Sequence, residues 1–577
     1  MNNREISNVF SRIADILELK EENVFRVRAY RTAAQNILSL SRELGDIYKE
    51  DPSGLEKIPG IGKDLRGKIV EMIETDKLKE FEKMMKEFPA GFLDLLDLAG
   101  LGPKKLAKLR KELGIKNVND LRKACEKGKL EGIEGMGAKT QDKILDAIGH
   151  YKKREGRMLL PEASEYVEEM LAYLKKSKNF KQLEKAGSLR RGRETVGDLD
   201  ILADAKDSKK AMDYFVSFPG VEDVIAKGTT KSSIRLKNGP QVDLRVIEGS
   251  RFGAALQYFT GSKDHNVAVR KIAKAKGYKV NEYGVFSVSK AGKERMVGGK
   301  TEEEVYKKLG MDWMPPELRE NRGEIEAAME GTLPGKLISV KDIRGDLHMH
   351  TTESDGRGSI EEMAEASKKK GYEYIAISEH SKLVRVANGL DEKRLLKHIE
   401  RIRKADKKIK GIKILTGIEV DILTDGKLDL KDSVLKELDI VIAAIHSYFS
   451  LEQEKQTDRI LKAFDNKYVN AFAHPSGRLI TTRTPIKADF DKIFKRAAEA
   501  DIYMEVNTHG ERMDLNDVHC KRAKELGAKF IISSDAHSVE QLDKLVFGVV
   551  TARRGWVEKK DVLNTKTLEQ LLKALKR

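Results

Sequence analysis

The sequence predicts a multidomain protein with a helical N-terminal region, a mixed α+β middle and a C-terminal βα barrel. Three observations predict this order. A helix, Gly-x-Gly turn, helix pattern recurs in the N-terminal region, and two aspartates stand two residues apart on a predicted strand in the middle. In the C-terminal region, short apolar runs lead one after another into residues that commonly ligate metals. A chain of 577 residues has room for about three to five domains of ordinary size.

The N-terminal region contains three Gly-x-Gly turns, each followed by a predicted helix. Glycine lets the chain turn sharply, and the next helix offers free N–H groups and the positive end of its dipole to an anion. A single pair is more typical of an ordinary helix C-cap. Three copies with lysines just downstream favour contacts to DNA phosphates that do not read the sequence. The pairs are Gly60 and Gly62, Gly100 and Gly102, and Gly135 and Gly137.

The middle of the chain carries a candidate nucleotide site. Asp198 and Asp200 point the same way if they share a strand, and a later strand offers Asp243. An isolated Asp-x-Asp pair is more typical of solvent-facing strand residues, but here a Gly-Ser turn and basic residues precede it. Three carboxylates can hold two Mg²⁺ ions against a nucleoside triphosphate. Ser188, beside Gly187, and Arg191 can bind that triphosphate.

The C-terminal region concentrates residues that ligate metals. Of the eleven histidines, nine lie beyond residue 345, most of them at the ends of short apolar runs separated by amphipathic stretches. Such runs predict buried parallel strands, whose C-terminal ends converge when the strands close into a barrel. A lone histidine there is more often a hydrogen-bonded core residue, but six in successive repeats favour zinc, manganese or iron. The runs end at or carry His348, His350, His380, Glu419, His446, His474, Asn507, His509, Asp535 and His537.

Composition narrows the class of partner and the compartment. The net charge of +16 and a pI near 9.3 suit a polyanionic partner, although charge alone does not separate nucleic-acid binding from a merely basic surface. The two cysteines, Cys125 and Cys520, form no disulfide framework. The N-terminus MNNREISNVF lacks an apolar core. We therefore expect a cytoplasmic protein associated with the nucleoid.

The C-terminal motifs DLHMHTTESDG, IEVD, AIHS, AHP and SDAH resemble the PHP family of phosphoesterases over residues 343–577. The resemblance implies a distorted (β/α)7 barrel, phosphoester hydrolysis and up to three Mn²⁺ or Zn²⁺ ions, with Glu419 shared between two of them. Asp355 stands where members often have His, and Ser378-Glu379-His380 replaces Thr-Asp-His. The implied ligand sets are His348, His350, Glu419 and Asp535; Glu419, His446 and His474; and Asp355, His380 and His537.

The motifs GSLRRGRETVGDLDIL, YFTGSKDHN and NEYGVF resemble family X DNA polymerases over about residues 1–315. The resemblance implies catalytic roles for Asp198, Asp200 and Asp243, with two Mg²⁺ ions. It also implies a nucleotide site and a contact from Arg270 to the template strand. In that nucleotide site Tyr258 and Phe259 would line the sugar and Asn266 would touch the nascent base. The full nucleotide set is Gly187, Ser188, Arg191, Gly197, Tyr258, Phe259, Gly261 and Asn266.

The segment NVFRVRAYRTAAQNIL…IPGIGKDLRGKI resembles the deoxyribose-phosphate lyase domain of the same family. That activity needs a lysine nucleophile that forms a Schiff base, and Lys68, six residues past Gly62, matches the position. The amine must have a lowered pKa to react. The alternative of a solvated helix lysine stays open, because other basic residues of the lyase site are not clearly matched.

Together these patterns predict a gap-filling DNA repair polymerase with an attached 3′–5′ exonuclease or 3′-end-processing activity, and with lyase and abasic-site cleavage as further activities. We expect a monomer that binds gapped or nicked duplex DNA and deoxynucleoside triphosphates. Two alternatives are an untemplated nucleotidyltransferase fused to a small-molecule phosphatase, and a barrel that only positions DNA. The expected domains are 1–80 (lyase-like), 81–150 (helix-hairpin-helix fingers), 151–250 (nucleotidyltransferase palm), 251–315 (thumb), 316–342 (linker) and 343–577 (PHP barrel).

Overall fold

A computed structural model of the chain forms two compact units, Met1–Glu155 and Gly156–Arg577. Each unit is described by itself. Both cysteines are free and buried. In the part of the chain that the structure describes, no helix is long and apolar enough to cross a membrane. The structure describes all residues except 2, 39–43, 90, 99–100, 131, 134–135, 138–139, 142–143, 146–147, 149–156, 238 and 577.

The first unit is helical around one apolar core. Its amphipathic helices bury leucine, isoleucine and aromatic side chains, and Phe10 and Tyr30 meet edge to face with ring centroids 5.4 Å apart. Short 3-10 helices occupy Gly54–Lys57 and Leu93–Asp97. The α-helices are α1 (Asn3–Leu19), α2 (Val24–Leu38), α3 (Leu44–Glu50), α4 (Lys63–Thr75), α5 (Lys79–Met85), α6 (Pro103–Leu113) and α7 (Val118–Glu126).

The Gly-x-Gly turns lead into helices where they are described. Gly60 has a φ of +81°, which favours glycine, and Gly62 is the N-cap of α4. Gly102 is the N-cap of α6, with Pro103 in the first turn, where a missing N–H costs nothing. Gly137 accepts the amide of Thr140 at 2.8 Å through its carbonyl oxygen. Two further predicted glycines, Gly100 and Gly135, lie outside the described residues.

The second unit begins with a mixed five-stranded sheet in the order β2-β4-β7-β6-β5. Its central strands β4 and β7 are parallel, whereas the other neighbours are antiparallel. A two-stranded ribbon pairs Met158–Leu159 with Thr195–Val196 and lies beside the helix Leu160–Lys175. The elements are β1 (Met158–Leu159), α8 (Leu160–Lys175), β2 (Phe180–Lys185), α9 (Gly187–Arg190), β3 (Thr195–Val196), β4 (Leu199–Ala205), α10 (Ser208–Val216), β5 (Val221–Lys227), β6 (Lys231–Leu236) and β7 (Gln241–Val246).

Helices and a three-stranded antiparallel sheet follow, in the order β10-β9-β8. A buried ion-pair cluster ties this region together, because Glu302 binds both Arg190 and Arg319 at 2.7 and 2.6 Å. The elements are α11 (Phe252–Thr260), α12 (Lys263–Ala275), β8 (Tyr278–Asn281), β9 (Gly284–Val288), β10 (Glu294–Gly298), α13 (Glu302–Lys308) and α14 (Glu324–Glu330).

Seven parallel strands form the C-terminal sheet, and their spatial order follows the chain order from β11 to β17. A parallel bridge from Met349, just past β11, to Ala536, just past β17, brings the two edges together into a nearly closed barrel. The predicted parallel barrel is therefore confirmed. The strands are β11 (Gly345–Asp346), β12 (Tyr374–His380), β13 (Lys413–Asp421), β14 (Ile440–Ala444), β15 (Ala471–Phe472), β16 (Tyr503–Asn507) and β17 (Phe530–Ser533).

Helices surround this barrel and cover its outer face. Apolar side chains from the strands pack against buried side chains of the helices, which explains the near-continuous apolar runs of the strands. The helices are α15 (Ile360–Lys369), α16 (Glu392–Lys408), α17 (Asp432–Leu435), α18 (Gln453–Phe464), α19 (Phe490–Glu499), α20 (Asp517–Glu525), α21 (Leu545–Arg554) and α22 (Leu568–Leu575).

Candidate active sites

The three aspartates of the middle region come together at one end of the five-stranded sheet. Asp200 on β4 and Asp243 on β7 are direct partners in the parallel register. Asp198 directly precedes β4, and its spacing of two residues places it on the same face as Asp200. The sequence-predicted carboxylate group is thus assembled by strand register from residues more than forty positions apart.

The environments of two of these carboxylates differ. Burial, followed by the nearby charges of Asp243 and Asp198, raises the pKa of Asp200 to about 6. Burial would also raise the pKa of Asp243, but hydrogen bonds led by the one from Lys231 outweigh it and lower that pKa. Lys231 Nζ lies 2.7 Å from Asp243 Oδ2, and Gln241 donates to Asp243 Oδ1 at 2.8 Å. Clustered negative charge of this kind suits a divalent cation.

Gly187 places a backbone turn directly against this carboxylate group. Its φ is +62°, and a Cβ built there would lie 2.7 Å from Asp200 Oδ2. Only glycine avoids both the strained backbone and the collision. The backbone of the Gly-Ser turn therefore approaches the carboxylates closely, as a site for a triphosphate chelated by metals requires.

The residues predicted to bind the nucleotide lie in one region. The Nη1 atom of Arg191 donates to the carbonyl oxygen of Thr260, and its Nε donates to Glu320 at 3.0 Å. A Cβ at Gly261, where φ is +66°, would lie 3.2 Å from Arg191 Nη1. Gly261 therefore sits beside the guanidinium group that we expect to meet phosphate.

Other predicted nucleotide and DNA residues have defined contacts. The rings of Tyr258 and Phe259 meet edge to face with centroids 5.1 Å apart. Asn266 is buried and donates to the carbonyl oxygen of Tyr258 at 2.7 Å. Arg270 is exposed on α12. Ser188 and Gly197 are half-buried, and both precede Asp198 in the sequence.

The second candidate site lies at the C-terminal ends of the barrel strands. His380 is the last residue of β12 and is the register partner of Glu419 on β13. His446, His474 and Asp535 each lie two residues beyond the end of their strand. His348 and His350 flank the bridge residue Met349, so both side chains lie on the same side of that segment.

Among the described residues, these side chains form three overlapping groups in which the possible ligand atoms lie within 4.8 Å of one another. The grouping differs in detail from the implied sets, because His350 and His380 each belong to two groups. His474, which forms part of none of the three, has its Nε2 2.7 Å from Glu419 Oε1. The groups are His350, Asp355, His380 and His537; His348, His350 and Asp535; and His380, Glu419 and His446.

Several buried ligand atoms in this site approach one another without forming hydrogen bonds. His380 Nδ1 and Glu419 Oε2 are 2.7 Å apart, yet neither atom has a hydrogen-bond partner among the described residues. The same holds for His446 Nε2, which lies 3.3 Å from Glu419 Oε1. Buried polar atoms are rarely left unpaired. Imidazole nitrogens and carboxylate oxygens that converge in this way fit a cluster of metal ions.

The electrostatics of the barrel site favour metal-binding protonation states for some ligands. Burial, followed by the charges of His537 and His380, lowers the pKa of His350 to about 4. Burial is also the main reason that the pKa of His474 falls to about 3. Burial would raise the pKa of Glu419, but neighbouring histidines led by His446 hold it well below its usual value. Neutral imidazoles and an ionised carboxylate are the forms that bind metal. Burial would lower the pKa of His380 and His446, but Glu419 raises these pKa values to about 10 and about 9, so a metal ion would have to displace a proton from each.

Family models cover most of the chain. A PHP domain model matches residues 346–509, and a DNA polymerase beta thumb model matches residues 255–320. A helix-hairpin-helix domain model matches residues 1–78, and a model of a SAM-like helix-hairpin-helix tandem matches residues 92–149.

Full-length similarity decides the family. The chain is 39% identical over 579 aligned positions to the DNA polymerase/3′-5′ exonuclease PolX of Bacillus subtilis, with 100% of each chain covered. The chain belongs to the PolX family. This PolX family member is also 26% identical over 325 residues to rat DNA polymerase lambda, covering 51% of this chain and 52% of the other. A protein named "probable phosphatase" from Thermoanaerobacter sp. strain X514 is 30% identical over 246 residues, 40% of this chain and 95% of that protein.

Sequence reasoning missed the residues that orient the expected metal ligands of the PolX barrel. Glu505 Oε1 lies 2.7 Å from His348 Nδ1, and Glu505 Oε2 accepts the amide of His474 at 2.7 Å. Asp421 accepts from His446 Nδ1 at 3.0 Å. A carboxylate on the second nitrogen of a ligand histidine fixes its tautomer and orientation. The available signal was the strand period of two, which places Asp421 on the same face as Glu419.

The unusual Ser-Glu-His segment of this PolX member also has a structural role. Glu379 is fully buried and accepts the amide of Thr351 at 3.1 Å and the hydroxyl groups of Thr351 and Ser354. His398 Nε2 lies 3.2 Å from the same carboxylate. Glu379 therefore fastens the loop that precedes Asp355, and this loop sets where Asp355 meets His380 and His537.

The environment of Lys68 opposes a nucleophilic amine. Its Nζ lies 2.8 Å from Glu80, 2.9 Å from Asp64 and 2.5 Å from the hydroxyl oxygen of Tyr30. Burial alone would lower the pKa of Lys68, but these hydrogen bonds, led by the one from Glu80, raise it above its usual value. In this arrangement the amine stays protonated at neutral pH.

Proposed function

We propose that this protein fills short gaps in DNA by templated nucleotide addition and trims 3′ ends with its barrel. The observation that carries the proposal is that one compact unit holds both an all-carboxylate group and a histidine-rich group. The first lies beside a glycine turn suited to a triphosphate, and the second lies at the strand ends of a βα barrel. Membership of the PolX family and similarity to DNA polymerase lambda support the assignment to DNA.

In the polymerase site, Asp198, Asp200 and Asp243 would hold two Mg²⁺ ions, because oxygen ligands and a phosphate substrate favour that ion. Bound there, the ions neutralise charge that develops on the phosphate. Lys231 and Gln241 hold the two oxygens of Asp243 in place. Asp243 would help to activate the primer 3′-hydroxyl, the role that the family resemblance implies for it.

Residues around the carboxylates would select and orient the nucleotide. Arg191 and Ser188 would bind the triphosphate beside the glycine turns at Gly187 and Gly197. Tyr258 would line the sugar next to Gly261, together with Phe259. Asn266 would reach the base edge and Arg270 the template strand. The aromatic pair and the hydrogen-bonded Asn266 support a pre-shaped pocket.

In the barrel, the histidine and carboxylate groups would hold up to three Mn²⁺ or Zn²⁺ ions, which suit mixed imidazole and carboxylate donors. Bound there, such ions lower the pKa of a water molecule and stabilise the leaving oxygen of a phosphodiester. The protein's own residues fix the donors, since Glu505 and Asp421 orient His348 and His446. The proposed reactions of this site are removal of 3′ nucleotides, removal of 3′ blocking groups and cleavage at abasic sites.

The helical N-terminal unit would bind duplex DNA through the hairpin turns at Gly60, Gly62, Gly100, Gly102, Gly135 and Gly137. The net charge of +16 supports this contact to phosphates. We propose the division into 1–80, 81–150, 151–250, 251–315, 316–342 and 343–577 as functional regions, a monomer as the working state, and the nucleoid-associated cytoplasm as its location.

Deoxyribose-phosphate lyase activity at Lys68 is a second proposed function with its own requirement. The amine must lose its proton, and Asp64 and Glu80 oppose that loss. The activity therefore requires that binding of the 5′-phosphate displaces these carboxylates from Lys68.

One gel assay tests both main sites. A labelled primer next to a one-nucleotide gap with a 5′-phosphate is incubated with Mg²⁺ or Mn²⁺, with and without deoxynucleotides. Extension by one nucleotide should be lost in Asp198→Ala and retained in His348→Ala/His350→Ala, whereas shortening should show the opposite pattern. Extension that needs no template would favour the untemplated transferase. Shortening that survives the double histidine change would sink the barrel assignment, and absence of shortening in the unmodified protein would favour a barrel that only positions DNA.

A further inference from the structure

The short turn that follows the proposed triphosphate-binding segment contacts the barrel. Gly192, with a φ of +65°, has no room for a Cβ, because one built there would collide with Val550 of α21. Glu194 forms an ion pair of 2.7 Å with Arg478, which lies in the loop after β15. The apolar core beneath the turn includes Ile480 and Met513 from barrel loops. The barrel therefore forms part of the support of the nucleotide site.

Arg554, at the end of α21, contacts Arg191 itself. Its Nη1 donates to the carbonyl oxygen of Arg191 at 2.6 Å and lies 3.1 Å from Glu320 Oε1. Glu320 Oε1 also accepts from Arg191 Nε at 3.0 Å. Arg554 thus holds both the backbone of Arg191 and the carboxylate that orients its guanidinium group. Val550 and Arg554 are four residues apart, so they lie on the same face of α21.

Arg554 is itself rigidly held. It is nearly fully buried, and its Nη2 donates to Asp517 at 2.6 Å. Arg322 binds the same Asp517 oxygen at 3.0 Å and donates to the carbonyl oxygen of Arg554 at 3.3 Å. A buried guanidinium group with this many fixed acceptors has little freedom to move.

We infer that Arg554 of the barrel is a positioning residue for nucleotide binding, since it sets where Arg191 meets the triphosphate. This inference rests on the proposed role of Arg191. The geometry gives the barrel a part in polymerisation that is separate from its own hydrolytic chemistry. A residue 363 positions away in sequence completes the nucleotide site.

Charge gives Arg554 a second effect on the site. Burial would raise the pKa of Glu320, but Arg554, followed by Arg191, outweighs burial and lowers it. Glu320 is therefore a buried anion next to the expected position of an anionic substrate. Without Arg554, this negative charge would be less compensated, and it would both repel the triphosphate and bind Arg191 more tightly.

The test is steady-state addition of one nucleotide to gapped DNA by the full-length protein carrying Arg554→Gln. We expect KM for the deoxynucleotide to rise by at least about tenfold, the effect of losing one charge-assisted hydrogen bond, while kcat stays within about twofold. The affinity of the complex with gapped DNA for a non-hydrolysable α,β-imido deoxynucleoside triphosphate, measured by titration, should fall to the same extent. Shortening of single-stranded DNA should not change.

Three variants separate positioning from general damage. Arg553→Gln removes a neighbouring side chain on α21 that donates to Glu317 at 2.7 Å and to the carbonyl oxygen of Ile338 at 3.0 Å. These two partners lie outside the turn, so the KM of this variant should stay normal. Adding Glu320→Gln to Arg554→Gln removes the uncompensated charge and should recover part of the nucleotide affinity. Arg554→Lys keeps the charge without the forked geometry and should give a smaller rise in KM, which also provides the test if the Gln variant does not fold.

The outcomes distinguish this inference from the proposed function. If Arg191→Ala weakens nucleotide binding but Arg554→Gln and Arg554→Lys behave like Arg553→Gln, the positioning role is wrong and the function stands. If Arg554→Gln lowers kcat, stability and strand shortening together, Arg554 only stabilises the packing of the barrel against the polymerase region, and the inference is overturned. If the unmodified protein adds no nucleotide to gapped DNA, the proposed function itself fails.

Discussion

Replacing Gly187 with alanine is a direct test of the polymerase site, because this glycine touches a proposed metal ligand. Gly187 has a φ of +62°, and a Cβ built on it lies 2.7 Å from Asp200 Oδ2. Ordinary contacts of a Cβ begin at 3.4 Å. The turn or the carboxylate must therefore move by about 0.7 Å, the difference between these two distances, to accept one methyl group.

The expected effect has two parts of different kinds. The left-handed backbone costs alanine about 1–2 kcal/mol in stability. Displacement of a catalytic group by close to 1 Å costs about 100-fold in rate, so we expect kcat/KM for nucleotide addition to fall between about tenfold and about 100-fold. Strand shortening by the barrel should stay within about twofold, since Gly187 lies outside that site.

Gly277→Ala is the matched control for the backbone cost. Gly277 has a φ of +77°, and no heavy atom of a described residue beyond its chain neighbours lies within 4 Å of a Cβ built there. This variant should lose similar stability in urea unfolding and keep its kcat/KM. Equal polymerase activity in the two variants would refute the placement of Asp200 as a catalytic ligand, since the only designed difference is the contact to its carboxylate.

Three further changes have defined outcomes. Glu302→Gln should destabilise the second unit by about 3 kcal/mol in urea unfolding, since Arg319 and Arg190 lower the pKa of Glu302 to about 2 against the effect of burial. The control Glu294→Gln, which removes an exposed ion pair with Lys279, should cost less than about 0.5 kcal/mol. Because the folded pKa of Glu302 is depressed, this stabilisation is present above about pH 4.5 and is lost as the pH falls towards 2. The rate of borohydride trapping of Lys68 on abasic DNA should be low at pH 7 and should rise with pH. Glu80→Gln should increase this rate at neutral pH, because the hydrogen bond from Glu80 is the main interaction that raises the pKa of Lys68 against burial. A rate that does not depend on pH would contradict this. Glu505→Gln should weaken Mn²⁺ binding, measured against a competing chelator, by about 10- to 100-fold, and unchanged binding would show that His348 needs no fixed tautomer.

Strand ends were the part of the site that the sequence predicted best. Short apolar runs and a period of two are local properties, so His380, His446 and Asp535 could be placed at one end of a barrel before any contact was known. The same reasoning assembled Asp200 and Asp243, because parallel strands align their ends. Local sequence patterns are enough to predict a site when the fold brings equivalent positions of successive repeats together.

Partners across long sequence separations could not be predicted. Arg191 was expected to bind phosphate, but its contact with Glu320 spans 129 residues and that of its carbonyl oxygen with Arg554 spans 363. Glu80 was equally hidden as a partner of Lys68, since it lies on the next helix. Asp64 is four residues before Lys68 on the same helix, and helical spacing could have indicated that pair. Sequence periodicity shows which face of an element is buried, but it does not show which charged side chain of another element meets it.

Strand β16 explains how the barrel tolerates backbone strain at two of its proposed ligands. His474 and Asp535 have positive φ values of 28° and 51°, which cost energy in residues other than glycine. Glu505 accepts the amide of His474 at 2.7 Å, and Asn507 donates to Asp535 at 3.0 Å. Asn507 also donates to Glu505 at 3.1 Å, so one pair of side chains on β16 holds both strained residues. We therefore expect substitutions at Glu505 or Asn507 to disturb the whole proposed metal site, although β16 supplies no residue of the three implied ligand sets.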